Sequence, residues 1–184
     1  MAEHVVLVDE KNRPIGTAPK SNVHTRQTPL HRGFSVFVLN ARDELLLQQR
    51  AATKKTWPLV WSNSCCGHPA DGETDEAAAR RRLHHELGLS IAEVQMVLSD
   101  YRYRAELNGV MENEFCPVLV AFTDQAPTPN PDEVAAIRWV PWDEFVAEAR
   151  QQPERYSPWC VEETLLLEAD PTFQKLRQQH RTSR

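Results

Sequence analysis

A chain of 184 residues with a formal net charge of -5 can bury one sizeable core and is too acidic overall to hold nucleic acid by its net field. No apolar run reaches membrane-spanning length and no charged-then-apolar leader is visible, so the expectation is a soluble, cytoplasmic protein with neither a membrane nor a nucleic-acid partner. Its four cysteines are then expected as thiols, because the cytosol keeps thiols reduced.

Residues 4–8 form a short apolar run, DEKNRP is turn chemistry, and residues 15–18 return as a second strand, giving an N-terminal hairpin. Lys20, His24 and His31 follow on a segment that Pro29 keeps from being one continuous helix. On spacing alone the two histidines fit a solvated surface or a metal site. FSVFVL at 34–39 and LLLQQR at 45–50, separated by NARDE, read as a second and stronger hairpin. Residues 51–62 are a loop that carries Lys54, Lys55, Trp57 and Trp61, with the aromatics as anchors and the lysines solvated.

Residues 63–89 begin with a cysteine pair and a histidine on a Gly/Pro-punctuated loop, NSCCGHP, and continue with helical periodicity. Thr74 and Asp75 offer an N-cap, and Glu73 and Glu76 put negative charge near the helix start. Ala79, Leu83 and Leu87 recur every four residues as a core-facing stripe that Gly88 ends. Arg82 and Glu86, also four apart, share a neighbouring stripe. A loop that enters a helix in this way suits anions and metal phosphates.

Residues 94–98 and 101–103 look extended, and Gly109 marks a turn before a strand at 110–116. Glu112 and Glu114 are two apart and so point to the same side of that strand, which is either a solvated face or a place where a cation separates two acids. Residues 118–122 and 134–140 are further strands around the Pro-rich loop TDQAPTPNPDE. Residues 142–150 have helical spacing with Phe145, Val146 and Ala149 apolar. Tyr156 to Trp159 read as a turn presenting an aromatic that either anchors the core or lids a ligand. A helix at 165–169 and a charged tail after Phe173 close the chain. Strands mixed with a few helices favour a single α/β or α+β sandwich.

Gly67, Glu73, Arg81, Leu83, Glu86, Gly88 and Leu89 have the spacing of the Nudix box, a resemblance that implies carboxylates holding magnesium against a diphosphate. Arg82 and His85 stand where that pattern has glutamates. Hydrolysis needs the missing acids to gather cations and activate water, so diphosphate binding is expected to survive while a Nudix-type diphosphohydrolase remains the alternative reading.

Across residues 20–160, NSCCGHP, YRYRA, ENE-x-C-P and SPW follow in order with His24 and His31 upstream. The set resembles the type I isopentenyl-diphosphate delta-isomerases of the Nudix superfamily. The resemblance implies one α/β (α+β) domain over 1–184, with a Nudix-like mixed β-sheet sandwiched between helices and the N-terminal hairpin and C-terminal helices packed on it. It implies a monomer that interconverts isopentenyl diphosphate and dimethylallyl diphosphate, small-molecule substrates of isoprenoid biosynthesis, by an allylic proton shift. Cys66 and Glu114 would be acid/base residues on opposite sides of the substrate, with Tyr103 relaying a proton and Trp159 lining the hydrocarbon end. His24, His31, His68, Glu112 and Glu114 would hold manganese, zinc or magnesium. Glu86 and the Cys66 carbonyl would hold a second ion, magnesium, on the diphosphate, and Lys20, Arg50, Lys54 and Arg82 match the positions that grip the phosphates.

The residue chemistry agrees with those roles. An unactivated alkene is a poor base, so protonating it needs a positioned acid and a home for tertiary-carbocation charge, which an indole face favours by about 2 kcal/mol. A guanidinium at position 82 binds phosphate where a glutamate would repel it. Cys65 departs from the family pattern, which has an apolar residue there. In an extended strand Cys65 and Cys66 face opposite ways, and Cys66, two residues from His68, is the one expected to face the substrate. Cys116 and Cys160 read as small core residues.

Overall fold

A computed structural model of the chain describes residues 3–181. Strands β1 (His4–Val8) and β2 (Pro14–Pro19) pair antiparallel as the expected N-terminal hairpin. The Asp9 carboxylate holds their turn by accepting from the Lys11 and Arg13 backbone N–H groups at 2.9 and 3.0 Å. One helical turn, α1 (Lys20–Val23), follows before β3 (His31–Arg32), and Gly33 separates β3 from β4 (Phe34–Leu39). Strand β4 is buried at all its positions, as an apolar run covered on both faces should be.

The second hairpin exists only at its turn. Strand β4 and β5 (Glu44–Arg50) pair at Leu39 and Leu45 and then diverge. The gap is filled by β6 (Trp61–Ser62), paired with β5, and β7 (Cys65–Gly67), paired with β4. The hydroxyl of Ser64 supplies the reason: it accepts from the Val38 N–H at 2.8 Å and donates to the Leu46 carbonyl at 2.6 Å, bridging the parted strands. The Asn63 amide likewise donates to the Val36 and Cys65 carbonyls at 3.1 and 2.9 Å. The NSCC segment is thus wedged into the sheet, and its polar side chains satisfy backbone groups that a closed hairpin would have paired.

Helix α2 (Asp75–Leu87) is capped by Thr74, whose hydroxyl accepts from the Ala77 N–H at 3.2 Å, and ends at Gly88, where φ is 66°. Strands β8 (Val94–Leu98), β9 (Arg102–Leu107), β10 (Val110–Phe115), β11 (Val118–Phe122) and β12 (Val134–Pro141) follow. Helices α3 (Trp142–Gln151), α4 (Pro158–Ala169) and α5 (Pro171–His180) close the described chain. Two expectations change here. SPW opens a full helix, with Pro158 in its first turn, because proline is preorganised there. The charged tail is largely α5, capped by Asp170, which accepts from the Phe173 N–H at 2.9 Å. Phe173 is fully buried, and the Arg177 guanidinium donates to the buried Asp43 carboxylate at 2.9 Å.

One sheet runs β2-β1-β3-β10-β9 and the other β12-β5-β4-β11-β8. They are joined by two nearly continuous strands that run side by side in parallel: β3 leads into β4, and β10 leads into β11. Alternation along β4 sends Phe34, Val36 and Val38 into a core closed by Ala79, Leu83 and Leu87 of α2. Phe37 and Leu39 enter a second core closed by Phe145, Trp159, Leu167 and Phe173 of the last three helices. This is the α+β arrangement of sheet between helices, and no described helix is long and apolar enough to cross a membrane.

Candidate functional site

The joint between the sheets is where distant polar residues meet. His24 ends α1, His31 opens β3, His68 follows β7, and Glu114 points from β10. Ligand atoms of these four side chains all lie within 4.8 Å of one another. Glu114 Oε1 is 2.9 Å from His68 Nε2 and 3.5 Å from His31 Nε2. Nδ1 of His31 lies 2.9 Å from the Pro29 carbonyl; as the donor there, it leaves the Nε2 lone pair facing the cluster. Glu112 is beside this foursome, with Oε2 3.0 Å from His24 Nε2.

Polar atoms of the cluster go unpaired. His24 Nε2, His31 Nε2 and Glu112 Oε2 are buried and, despite their short contacts, make no aligned hydrogen bond, an expensive state that a divalent cation would relieve. Three imidazoles with one or two carboxylates form a donor set suited to such an ion. Burial pulls His68 down to about 4, which keeps it in the neutral form that ligates. Burial would raise Glu114, but the adjacent His31 and His68 imidazoles outweigh it and hold the carboxylate well below its ordinary range. At His31 burial acts downward, yet the neighbouring Glu114 carboxylate leaves the ring raised.

A cleft of about 520 Å³ opens over this cluster. Of the site residues singled out from the sequence, all but His31 and Glu86 line it. Cys66 comes from β7, where it lies opposite Ser35, while Cys65 lies opposite Val36 and is fully buried on the α2 side. The Cys66 thiol donates to Asn63 Oδ1 at 3.2 Å. Burial pushes it up to about 12, so it is a thiol at neutral pH, and the nearby Glu163 adds to the rise. The Tyr103 hydroxyl donates to Glu114 Oε2 at 3.1 Å, and burial followed by the Glu114 charge keeps this phenol protonated. Trp159 packs 5.3 Å from the Tyr103 ring and 5.2 Å, edge on, from Trp57, with the Arg50 guanidinium 5.8 Å from its centroid.

Three cations of the cleft are held by carboxylates. Lys20 Nζ is 2.7 Å from Glu3, Lys54 is paired with Glu133, and Arg82 Nη2 donates to Glu133 at 3.1 Å. Arg82 Nε also donates to Glu86 at 3.0 Å, and Gln48 donates to the other Glu86 oxygen at 3.2 Å. Glu86 and Arg82 are thus engaged with each other, as residues four apart on a helix can be, and Glu86 sits behind Arg82. Arg50 instead donates to the Thr56 carbonyl and hydroxyl at 2.9 and 3.0 Å.

Sequence reasoning had no role for Glu133, Asn63, Ser35 or Glu163. Glu133 lies in the Pro-rich loop and gives no local signal. Ser35 is the one hydroxyl in an otherwise apolar strand, and Glu163 follows Trp159 by one helical turn; both were signals that could have been read.

The NUDIX domain profile matches residues 29–160. The crystal structure of DR0079 from Deinococcus radiodurans superposes with a TM-score of 0.71 over 89% of this chain and 98% of its own, at 20% identity, a likeness of fold alone. The isopentenyl-diphosphate Delta-isomerase of Saccharopolyspora erythraea is 49% identical over 173 residues, covering 92% of this chain and 89% of the relative. That of Kocuria rhizophila is 48% identical over 171 residues, covering 91% and 95%. Identity at this level, over nearly all of both chains, far exceeds what a shared Nudix fold retains between its distant members. The chain belongs to the isopentenyl-diphosphate Delta-isomerase family of Nudix-domain proteins.

Proposed function

We propose that this chain interconverts isopentenyl diphosphate and dimethylallyl diphosphate. The observation that carries the reading is that two proton-handling groups, the Cys66 thiol from one sheet and the Tyr103–Glu114 pair from the other, line one cleft beside an indole and the cations Lys20, Arg50, Lys54, Lys55 and Arg82. In the forward direction one group delivers a proton to the terminal methylene, whose π electrons form the new C–H bond and leave a tertiary cation. The Trp159 face stabilises that charge. The opposite group then takes a proton from the neighbouring methylene, and the C–H electrons become the new double bond. A positioned acid or base of this kind contributes roughly 10²- to 10⁴-fold.

Lys20, Arg50, Lys54 and Arg82 would grip the diphosphate, each exchanging an internal partner for phosphate oxygens. A cation on His24, His31, His68, Glu112 and Glu114, whether manganese, zinc or magnesium, would orient Glu114 and polarise the phenol beside it, and magnesium at Glu86 and the Cys66 carbonyl would offset diphosphate charge. The burial of Tyr103 and the partial burial of Cys66 limit the access of competing water to the reacting carbons.

The test is to supply purified protein and divalent metal with isopentenyl diphosphate and to measure dimethylallyl diphosphate against released phosphate. Dimethylallyl product without phosphate is expected. Phosphate release without isomer would return the chain to the diphosphohydrolases.

A further inference from the structure

Helix α4 turns Trp159 and Glu163, one turn apart, into the same core. Trp159 meets the cleft. Glu163 is 0% exposed, its Oε2 has no hydrogen-bond partner, and its Oε1 is 3.9 Å from the Cys116 thiol. It touches neither the diphosphate grip nor the metal cluster, and an acid in an apolar core is costly where its oxygens lack hydrogen-bond partners.

Its surroundings lead to Cys66. The Ser35 hydroxyl lies 3.5 Å from Cys116 Sγ and 3.6 Å from Cys66 Sγ, the sulfur that faces the cleft. Ser35 and Cys116 are also the side chains that offset the burial of Glu163. Burial, with the Glu114 charge adding to it, pushes the Glu163 carboxyl well above its ordinary range, so it is a neutral acid with a proton to donate. A line of polar groups therefore runs from Glu163 through Cys116 and Ser35 to Cys66, inside a core otherwise made of groups such as Phe37, Val118 and Leu167. Partly satisfied polar networks in such places are destabilising, so the retention of this one calls for a role.

We propose that Glu163 is a positioning residue for Cys66: its carboxyl group donates to the Ser35 hydroxyl, which in turn donates to the Cys66 sulfur and holds it toward the cleft. When the sulfur carries its proton, the Asn63 side-chain carbonyl accepts the S–H hydrogen bond and Ser35 supports the other side. When the sulfur has lost it, the Ser35 and Glu163 donors stabilise the thiolate. This rests on the reading of Cys66 as an acid/base residue.

The experiment compares turnover of isopentenyl diphosphate by wild type, Cys66→Ala, Ser35→Ala, Glu163→Leu, Glu163→Gln and the Ser35→Ala/Glu163→Leu double variant. Glu163→Leu should lower kcat about tenfold with KM unchanged, because the diphosphate is gripped elsewhere. Glu163→Gln, neutral and still a donor, should recover most of that loss. The double variant should be no worse than the worse single one, since both break one line. Unchanged kcat in Glu163→Leu, equal losses in the Leu and Gln variants, or multiplying losses in the double variant would overturn the assignment. Should Glu163→Leu not fold, Ser35→Ala decides: an unchanged kcat there also overturns it. Full activity in Cys66→Ala would instead remove the underlying reading of the thiol, an outcome separable from all of these.

Discussion

The Glu114 carboxylate lies so close to the backbone of Gly33 that a Cβ on that glycine would stand 2.2 Å from Oε2. Gly33 sits between β3 and β4, its N–H donating to the Phe115 carbonyl at 2.9 Å, so its backbone is tied to the strand that carries Glu114. The absent side chain is what lets the acid reach His31 and His68. Gly33→Ala should push the carboxylate away from the two imidazoles and lower metal affinity roughly 10- to 100-fold, as losing a ligand's support does. Metal per chain after dialysis, with circular dichroism as the control for folding, reads this directly. Full metal content in the alanine variant would mean that Glu114 has room the geometry does not reveal.

The three histidines give a second expectation. Their unpaired buried nitrogens are the reason to assign a cation here, so chelation should abolish turnover and His68→Ala should lower metal content and rate together. A triple substitution of His24, His31 and His68 that still carried stoichiometric metal would refute the site.

Much of the architecture was legible because strand period and turn residues act locally. The hairpin from His4 to Pro19 and the buried run of β4 follow from alternation, apolar length and the Asp9 turn. The parting of β4 from β5 was not legible, since it depends on Ser64 and Asn63, some twenty residues along, reaching between strands whose own pattern says hairpin. The starts of α4 and α5 did carry signals, Ser-Pro and Asp-Pro, but the aromatic in SPW and the charges after Phe173 drew the reading toward turn and tail. For the site, spacing left His24, His31, Glu112 and Glu114 open between solvent and metal. Only the parallel joint of β3 with β10 makes them neighbours, and that pairing has no local trace.

The cysteine pair separates reactivity from packing. Cys65 is enclosed by Val36, Ala79 and Leu83 in the core beneath α2, whereas Cys66 faces Asn63, Ser35 and the cleft. Cys65→Val, close in volume, should cost less than about 1.5 kcal/mol in stability and little in rate. Cys66→Ala should cost turnover roughly 10²- to 10⁴-fold without unfolding the protein. A thiol-directed electrophile should label Cys66, and substrate should block it. Peptide mapping that put the adduct on Cys65 would reverse the two roles.

Glu133 links the cleft to acid stability. It lies between Lys54, Arg82 and His85, with the last at 3.3 Å. Burial would raise its carboxyl, but the Lys54 hydrogen bond and the Lys54 and Arg82 charges hold it at about 2, against an ordinary value of 4.5. The folded value is the lower one, so the stability it contributes is present above 4.5 and is lost as pH falls through that window toward about 2. Glu133→Gln should therefore be less stable than wild type by about 1 kcal/mol near neutral pH, with the deficit closing in acid. The same change removes the internal anion from Lys54 and Arg82, so KM for isopentenyl diphosphate should fall. Thermal denaturation of both proteins at a series of pH values, with KM measured near neutrality, checks both halves. A stability deficit that stayed constant into acid would mean that the side chain only packs there, and an unchanged KM would mean that Lys54 and Arg82 do not exchange Glu133 for the diphosphate.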